Sequence, residues 1–297
     1  MRKRNWSKYN KNLVNRGSLT FILSPDRLDE ICHFEGKSSG GRPEEHSPTL
    51  ITILMMIKTY FCLGYRQTEG FGRYLRNEGI ISSEIPNYST LNRRAKTLLK
   101  FLPKLSHRRP VVLLFDASGL KVCGEGEWKR KIHGTKRRRE WKKIHVALDE
   151  SSQEVIATTL TKSNVSDGSQ VKTLLDNSPK SVTVGKGDGA YDQSAVRNLL
   201  NSKGIIDCIP PRVDAVETDG QRERNAAIRI IRYFGGDMVA RSLWRKLSGY
   251  SFRSLVETFF SRYKSQFGTQ LYSKEIQRQN VEHHLKCHIL NRLASIN

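Results

Sequence analysis

Apolar residues follow two different rhythms along the chain, and the change falls near residue 105. Before it, apolar positions recur at helical spacing and are interrupted by glycine and proline. After it, short continuous apolar runs alternate with helical segments. The pattern predicts an all-α N-terminal region over residues 1–105. It predicts an α/β region over residues 106–297, including the last helix.

The N-terminal region is predicted to hold several short helices, over residues 25–31, 49–63, 65–77 and 86–99. Ser89 or Thr90 is the expected cap of the last one, and Asn92, Arg93 and Arg94 project from its polar side. Short helices that end in a basic one are typical of a helix-turn-helix module, whose last helix enters the major groove. A plain helical subdomain with a basic surface is the alternative.

The second region begins with the apolar run 111–115, which predicts a buried strand ending at Asp116. Further strands are predicted over residues 144–148, 154–161, 181–186 and 205–209. Helices are predicted over residues 169–177, 193–203, 222–247, 250–267 and 277–296. Three adjacent strands followed by alternating helices and strands predict a mixed sheet with helices on its faces. In such sheets, functional residues gather at strand ends.

The helix predicted over residues 250–267 contains neither proline nor glycine. At 100° per residue, one narrow arc of it holds Tyr250, Arg253, Glu257 and Lys264. Bulky residues form a stripe beside that arc, predicted to be buried: Phe252, Val256, Phe259, Phe260, Tyr263 and Phe267. The simplest interpretation is an amphipathic helix whose charged face is solvated, with Arg253 and Glu257 as a weak surface pair.

The formal net charge is +22, with 51 basic and 29 acidic residues. A polyanion is the natural partner, and nucleic acid is the commonest one. The excess is densest in the middle, where residues 121–143 include Trp128, Lys129, Arg130, Arg137 and Arg138. We expect this segment to lie on nucleic acid, with tryptophan able to stack on an unpaired base. A solvated basic loop is the alternative.

Membrane association is not expected, because no segment pairs a basic face with an exposed apolar one, and the apolar run 50–57 is too short to span a bilayer. Five cysteines are scattered without any CxxC pair, which argues against a zinc knuckle or a disulfide framework. No signal peptide is recognised. We therefore expect a protein of the reducing cytoplasm.

Three carboxylates stand out by position: Asp116 after the first strand, Asp188 between two glycines after the fourth, and Glu257 on the late helix. Three anionic groups that meet repel one another unless cations neutralise them. Mg²⁺ or Mn²⁺ suits such oxygen ligands, and two ions about 4 Å apart can clamp a phosphodiester during in-line displacement. Strand-end and turn roles are the alternatives. Asp192 competes with Asp188, although it could instead cap the following helix.

The late helix matches the Y-x2-R-x3-E-x6-K signature of bacterial insertion-sequence transposases at every spacing, in the order Tyr250, Arg253, Glu257 and Lys264. Residues 188–192 resemble the Asp-Gly-x-Tyr/Phe-Asp segment of these families, and residues 116–119 resemble their strand-terminal Asp-(Ser/Ala/Thr)-(Ser/Thr)-Gly. Ala117 departs mildly, since many relatives carry serine or threonine there. The chain resembles the fifth insertion-sequence family from about Trp6 to its C-terminus.

The resemblance implies a ribonuclease-H-like core with a catalytic, metal-binding triad of Asp116, Asp188 and Glu257. It implies a DNA transposase that binds terminal inverted repeats, cleaves to free 3′-hydroxyls, and joins these to target DNA with two Mg²⁺ ions, which Mn²⁺ can replace. Tyr250, Arg253 and Lys264 would contact DNA near the transferred end. A homodimer or higher oligomer at the bacterial nucleoid is expected.

Sequence choice would come from the N-terminal helices, with Asn92, Arg93 and Arg94 as candidates for base edges. Two other functions share the basic features. A catalytically silent DNA-binding regulator needs no triad, and a ribonuclease-H-like nuclease cuts without joining.

Overall fold

The structure is a computed structural model that describes residues 5–32, 34, 45–106, 108–123 and 140–296. It divides into two compact units. One comprises Met1–Lys104 together with Gln266–Asn297, and the other comprises Leu105–Ser265. The division differs from the sequence-based one at its C-terminal end, because the last helix packs on the N-terminal helices and is grouped with them.

Eleven α-helices lie in the described residues, in chain order: α1 (Trp6–Asn15), α2 (Pro25–Cys32), α3 (Pro48–Tyr60), α4 (Tyr65–Asn77), α5 (Tyr88–Arg94), α6 (Asp167–Asp176), α7 (Ser194–Ser202), α8 (Arg222–Tyr233), α9 (Met238–Leu247), α10 (Ser254–Phe267) and α11 (Ile276–Ser295). Six strands lie in the same residues: β1 (Val112–Val122), β2 (Trp141–Asp149), β3 (Val155–Lys162), β4 (Val184–Lys186), β5 (Ile206–Cys208) and β6 (Gln270–Leu271).

The first unit is built around α3, in which every residue from Leu50 to Ile57 is buried. Ser47 caps this helix by accepting the Leu50 N–H at 2.9 Å, and Pro48 occupies its first turn, where no N–H is needed. Helices α4 and α11 pack against α3, which confirms the predicted helical N-terminal region. Among the described residues no single helix is both long and apolar enough to cross a membrane. Helices α3 and α4 reach the necessary length and apolar composition only when taken together, and the pair is bent by 118°.

Helix α5 is shorter than predicted, and its cap lies elsewhere. Asn87 accepts the Thr90 N–H at 2.8 Å and also the Ser89 hydroxyl, so Ser89 is itself a donor to the cap. The α-helix ends at Arg94, and a 3₁₀ turn follows at Leu98–Lys100. Asparagine is as good a cap as serine, so the sequence preference between neighbouring candidates was too weak to choose correctly.

The second unit contains a sheet with the strand order β3-β2-β1-β4-β5. The pairs β1–β2 and β2–β3 are antiparallel, whereas β1–β4 and β4–β5 are parallel. This order confirms the predicted mixed α/β sheet flanked by helices. One boundary was wrong, because β1 does not end at Asp116. Its pairing with β2 continues to Lys121, opposite Trp141, and Asp116 itself lies opposite Val146.

The two faces of β1 carry different kinds of side chain, because successive side chains point to opposite faces of a strand. Leu113 and Phe115 enter a core with residues of α6 and α7 and with Tyr191. Asp116 therefore faces the opposite side. Helix α10 buries Val256, Phe259, Phe260, Tyr263 and Phe267 as predicted. Phe252 is instead 57% exposed, because a 3₁₀ turn at Tyr250–Arg253 precedes the α-helix and rotates this residue away from the buried stripe.

Arg197 of α7 is fully buried and ties together three parts of the second unit. Its Nε donates to Asp192 at 3.0 Å, and its Nη1 donates to Asp207 of β5. Its Nη2 donates to the carbonyl of Ile209 at 3.0 Å. Removing one member of such a network leaves the remaining charges buried without compensation.

We expect Arg197→Met to lower the free energy of unfolding by about 3–5 kcal/mol, because Asp192 and Asp207 would lose a buried partner. The matched control is Arg229→Met, whose side chain is 71% exposed and pairs with Glu217 at 2.6 Å. Exposed pairs of this kind contribute little to stability, because solvent screens both charges. Urea denaturation of both variants measures the difference, and equal losses would contradict this account of the network.

His145 of β2 is completely buried on the face that carries α6. Its Nε2 lies 2.9 Å from the Thr161 hydroxyl, and its Nδ1 lies 3.5 Å from the Asp167 carboxylate. Burial lowers the pKa of His145 to about 4, although Asp167 acts in the opposite direction. The histidine is therefore neutral in the folded protein near pH 7.

The pKa of His145 is about 4 in the folded protein, against 6.5 for an unperturbed histidine, so the unfolded chain binds the proton more tightly. This histidine's contribution to stability is present above pH 6.5 and is lost as pH falls towards 4. We expect His145→Gln to remove roughly 2–3 kcal/mol of the acid-induced loss over that window. Unfolding free energies measured at a series of pH values from neutral down to about the folded pKa test this. Parallel profiles for the two proteins would contradict it.

Candidate active site

One guanidinium joins the three carboxylates that the sequence singled out. Arg253 Nη2 donates to Asp116 Oδ2 at 2.8 Å and lies 3.7 Å from Asp188 Oδ2. Arg253 Nη1 donates to Glu257 Oε1 at 2.7 Å. The structure thus brings together side chains from β1, from the segment after β4, and from α10. The pair of Arg253 with Glu257 is not the exposed surface pair that helical spacing alone suggested, because the arginine is only 15% exposed.

Asp116 is held on the sheet face opposite the Phe115 core. Its Oδ1 accepts the N–H of Ala117 at 2.8 Å, and its side chain is 15% exposed. Burial raises the pKa of Asp116, while the Arg253 guanidinium and the Ala117 N–H oppose that rise. The Asp188 and Glu257 carboxylates act with burial, because a second negative charge disfavours the first. The positive charge of Arg253 therefore favours the ionised form of Asp116 and opposes the effect of burial on its pKa.

Asp188 caps a single 3₁₀ turn, Gly189–Tyr191, by accepting the Ala190 N–H at 2.9 Å. The Tyr191 ring anchors that turn in the core, 6.4 Å from the ring of Phe115. A side chain at Gly187 would meet the Tyr191 ring at 2.8 Å, so glycine is required for this close approach. The Asp188 side chain is 38% exposed, the second most exposed of the three carboxylates after Glu257 at 61%.

Lys186 fixes the start of the segment that carries Arg253. This buried lysine donates to the carbonyl of Gly249 at 2.7 Å and pairs with Glu150 at 2.5 Å. Gly249 adopts φ 65°, a left-handed conformation that favours glycine, and the 3₁₀ turn begins immediately after it. Sequence reasoning missed Lys186, although a lysine closing a short strand directly before Gly-Asp-Gly was a usable signal.

The other two residues of the late signature lie on the same stretch of chain. Tyr250 is partly buried, with its ring 5.7 Å from that of Trp244, and burial raises the pKa of its phenol. Lys264 is partly buried and has no ion-pair partner among the described residues. It follows Glu257 by seven residues, which places it about 10 Å further along the same side of α10.

Asp192, which the sequence offered as an alternative to Asp188 for the second carboxylate, belongs to a separate hydrogen-bond network. Its oxygens accept hydrogen bonds from Arg197 and Arg224 and from the backbone N–H of Arg212. Burial raises its pKa, but these donors outweigh burial and lower the pKa overall. Gln193 is the N-cap of α7, so Asp192 does not cap that helix. Its carboxylate joins a structural network and is not one of the groups around Arg253.

Two Asp oxygens and one Glu oxygen that face Arg253 are hard donors of the kind that Mg²⁺ and Mn²⁺ prefer. As they stand, they surround a guanidinium. No group of three or more His, Cys, Asp or Glu side chains in the described part of the chain is arranged to hold a metal ion. The donor chemistry fits a divalent cation, provided that Arg253 gives way.

The predicted DNA contacts outside α10 fall in two places. Trp128, Lys129, Arg130, Arg137 and Arg138 lie outside the described residues. On α5, Arg93 is exposed, whereas Asn92 and Arg94 are half-buried. Arg94 donates to the carbonyl of His46 at 3.4 Å, and the carbonyl of Asn92 accepts from Arg278. Of the three, Arg93 is therefore the side chain most open to a partner.

Two family models described as the transposase DDE domain match the chain, one over residues 107–292 and the other over residues 14–125. The first covers more than half of the sequence. The chain therefore belongs to the DDE transposases, which confirms the resemblance drawn from the motifs. The mixed sheet with flanking helices is consistent with the ribonuclease-H-like fold of that family. Such transposases act on DNA and generally use divalent metal ions.

Proposed function

We propose that the chain is the transposase of a bacterial insertion sequence. It would bind the terminal inverted repeats, cleave to free 3′-hydroxyl ends, and join those ends to target DNA by in-line transesterification. The observation that supports this most is the grouping of Asp116, Asp188 and Glu257 around Arg253, within a chain that belongs to the DDE transposases. Membership of the family alone would not require an intact set of acidic side chains.

Each side chain has a role that follows from its place. Asp116, Asp188 and Glu257 would hold two divalent ions, which in such sites activate the attacking oxygen and stabilise the leaving one. Asp116 is the most firmly positioned of the three, because it lies within a paired strand and its Oδ1 is bonded to the backbone. Lys264, partly buried and two turns along α10, would hold a phosphate of the DNA strand end.

DNA affinity would come from the chain-wide positive charge, and sequence choice from the N-terminal helices. Because two element ends must be processed together, the working complex is expected to contain at least two copies of the chain. A silent regulator would need no acidic cluster, so the grouping of the three carboxylates argues against it.

We expect Asp116→Asn, Asp188→Asn and Glu257→Gln each to reduce DNA cleavage and joining by roughly 10²-fold or more, because one charged ligand is lost without a change of shape. Binding to the terminal repeat should change little. The control is Asp176→Asn, an exposed carboxylate on α6 that pairs with Lys203. The assay uses a labelled terminal-repeat duplex, a target plasmid and Mg²⁺.

Each outcome of that assay has a distinct meaning. Joined products from the wild-type protein, and their loss in the three variants, support the transposase. Cutting without joining would indicate a nuclease, and binding without cutting would indicate a regulator. Full cleavage by any one of the three variants would remove that residue from the proposed triad.

We expect Arg93→Ala to weaken binding to the terminal repeat and to reduce the slope of log affinity against log salt by about one if the side chain contacts a phosphate. A base contact would instead relax specificity at one position. Arg73→Ala is the control, since that guanidinium already pairs with Glu69 at 2.5 Å. Unchanged affinity, slope and specificity for Arg93→Ala would exclude α5 as the reading helix.

A further inference from the structure

Arg253 faces one oxygen of each of the three carboxylates. On Asp116, Oδ1 accepts a backbone N–H and Oδ2 accepts Arg253. On Asp188, Oδ1 accepts a backbone N–H and Oδ2 lies 3.7 Å from the same guanidinium. On Glu257, Oε1 accepts Arg253 at 2.7 Å. Each carboxylate thus turns one oxygen towards a single cation.

We infer that Arg253 is the counter-ion of the three carboxylates in the absence of DNA, and that its transfer to a DNA phosphate couples DNA binding to divalent-metal binding. This inference rests on the proposed function. It gives Arg253 two alternative partners: the carboxylates in the absence of DNA, and a phosphate in its presence.

The two kinds of cation compete for the same atoms. Mg²⁺ needs oxygens at about 2.0–2.1 Å and in near-octahedral geometry. The guanidinium that lies 2.8 Å from Asp116 Oδ2 takes up one lone pair of that oxygen and places a positive charge beside it. A divalent ion beside the guanidinium would also be repelled by it. Divalent-metal binding is therefore favoured when Arg253 leaves the carboxylates.

Departure of Arg253 without a substitute would leave three negative charges close together, and Asp116, at 15% exposed, would be poorly compensated by solvent. A DNA phosphate brought to the same place would add a further negative charge. Both penalties disappear when the exchange is complete, with the guanidinium on the phosphate and divalent ions on the carboxylates. Arginine suits this exchange because its planar fork matches both carboxylate and phosphate.

The side chain is also placed where it can move. Arg253 is the last residue of a 3₁₀ turn and is 15% exposed. Its Nε is buried and makes no hydrogen bond to the described residues, so only the two terminal nitrogens hold it to the cluster. Rotation about the outer bonds of the side chain would release both contacts without moving α10.

Thermodynamic linkage between DNA binding and metal binding makes the inference measurable. If DNA raises the affinity for metal by some factor, metal must raise the affinity for DNA by the same factor. Arg253→Gln removes the internal cation but keeps hydrogen-bonding capacity. Metal binding without DNA should then become tighter, and the gain caused by DNA should shrink.

The test measures Mn²⁺ binding by the electron paramagnetic resonance signal of the free ion. Wild-type protein and Arg253→Gln are each titrated with and without a saturating duplex taken from the DNA that flanks the gene. We expect DNA to tighten Mn²⁺ binding by the wild-type protein about 5-fold or more. For Arg253→Gln we expect tighter Mn²⁺ binding without DNA. We also expect DNA to change the Mn²⁺ affinity of this variant by a factor near one, which is the DNA-induced factor.

Two further variants serve as controls. Arg245→Gln removes an exposed arginine on α9 and should leave the DNA-induced factor unchanged. Arg253→Lys keeps a positive charge and should restore part of that factor, which a purely structural role would not predict. Circular dichroism establishes that each variant is folded.

The inference is overturned if Arg253→Gln binds Mn²⁺ no more tightly than the wild-type protein without DNA, or if its DNA-induced factor equals that of the wild type. Either result leaves the proposed transposase intact when the wild-type protein still cleaves and joins DNA. Failure of the wild-type protein to cleave would instead count against the proposed function itself.

Discussion

The second unit depends on how one positive charge is shared among three negative ones. Asp116, Asp188 and Glu257 could not be brought together without a cation, because each carboxylate raises the energy of ionising the others. Arg253 supplies that cation from within the chain. Burial would lower the pKa of Arg253, but the surrounding negative charges outweigh burial and raise it. The arginine therefore stabilises the grouping of the three carboxylates in the folded protein.

The scaffold delivers these four side chains with different degrees of rigidity. Asp116 lies in the central strand of the sheet, which β2 and β4 flank. Asp188 is held by a 3₁₀ turn that Tyr191 anchors in the core. Arg253 depends on the Lys186 bond to Gly249, and Glu257, at 61% exposed, is the least constrained. The exposure of the carboxylates thus increases from Asp116 on the sheet, through Asp188, to Glu257 on the helix.

Much of this arrangement followed from the sequence. The order of apolar runs predicted the mixed sheet, and the spacing from Tyr250 to Lys264 together with two Asp segments predicted which carboxylates meet. Local boundaries were harder: β1 continues past Asp116 because β2 pairs with it, and pairing partners are not visible in a single strand. The exposure of Phe252 could not be foreseen either, because helical periodicity does not distinguish a 3₁₀ turn from an α-helix at a terminus.

Long-range polar contacts were the main omission. Lys186 donates a hydrogen bond to Gly249, and Arg197 donates one to Asp207. In each case the partners belong to different elements, so no local sequence pattern indicates that they meet. The central claim, that the oxygens now facing Arg253 are metal ligands, can be tested most directly by anomalous diffraction from crystals of the DNA complex grown with Mn²⁺. The account predicts anomalous peaks within bonding distance of the Asp116 and Asp188 carboxylates, with the Arg253 guanidinium moved onto a phosphate. Peaks elsewhere, or Mn²⁺ at those carboxylates with Arg253 still bonded to Asp116, would contradict it.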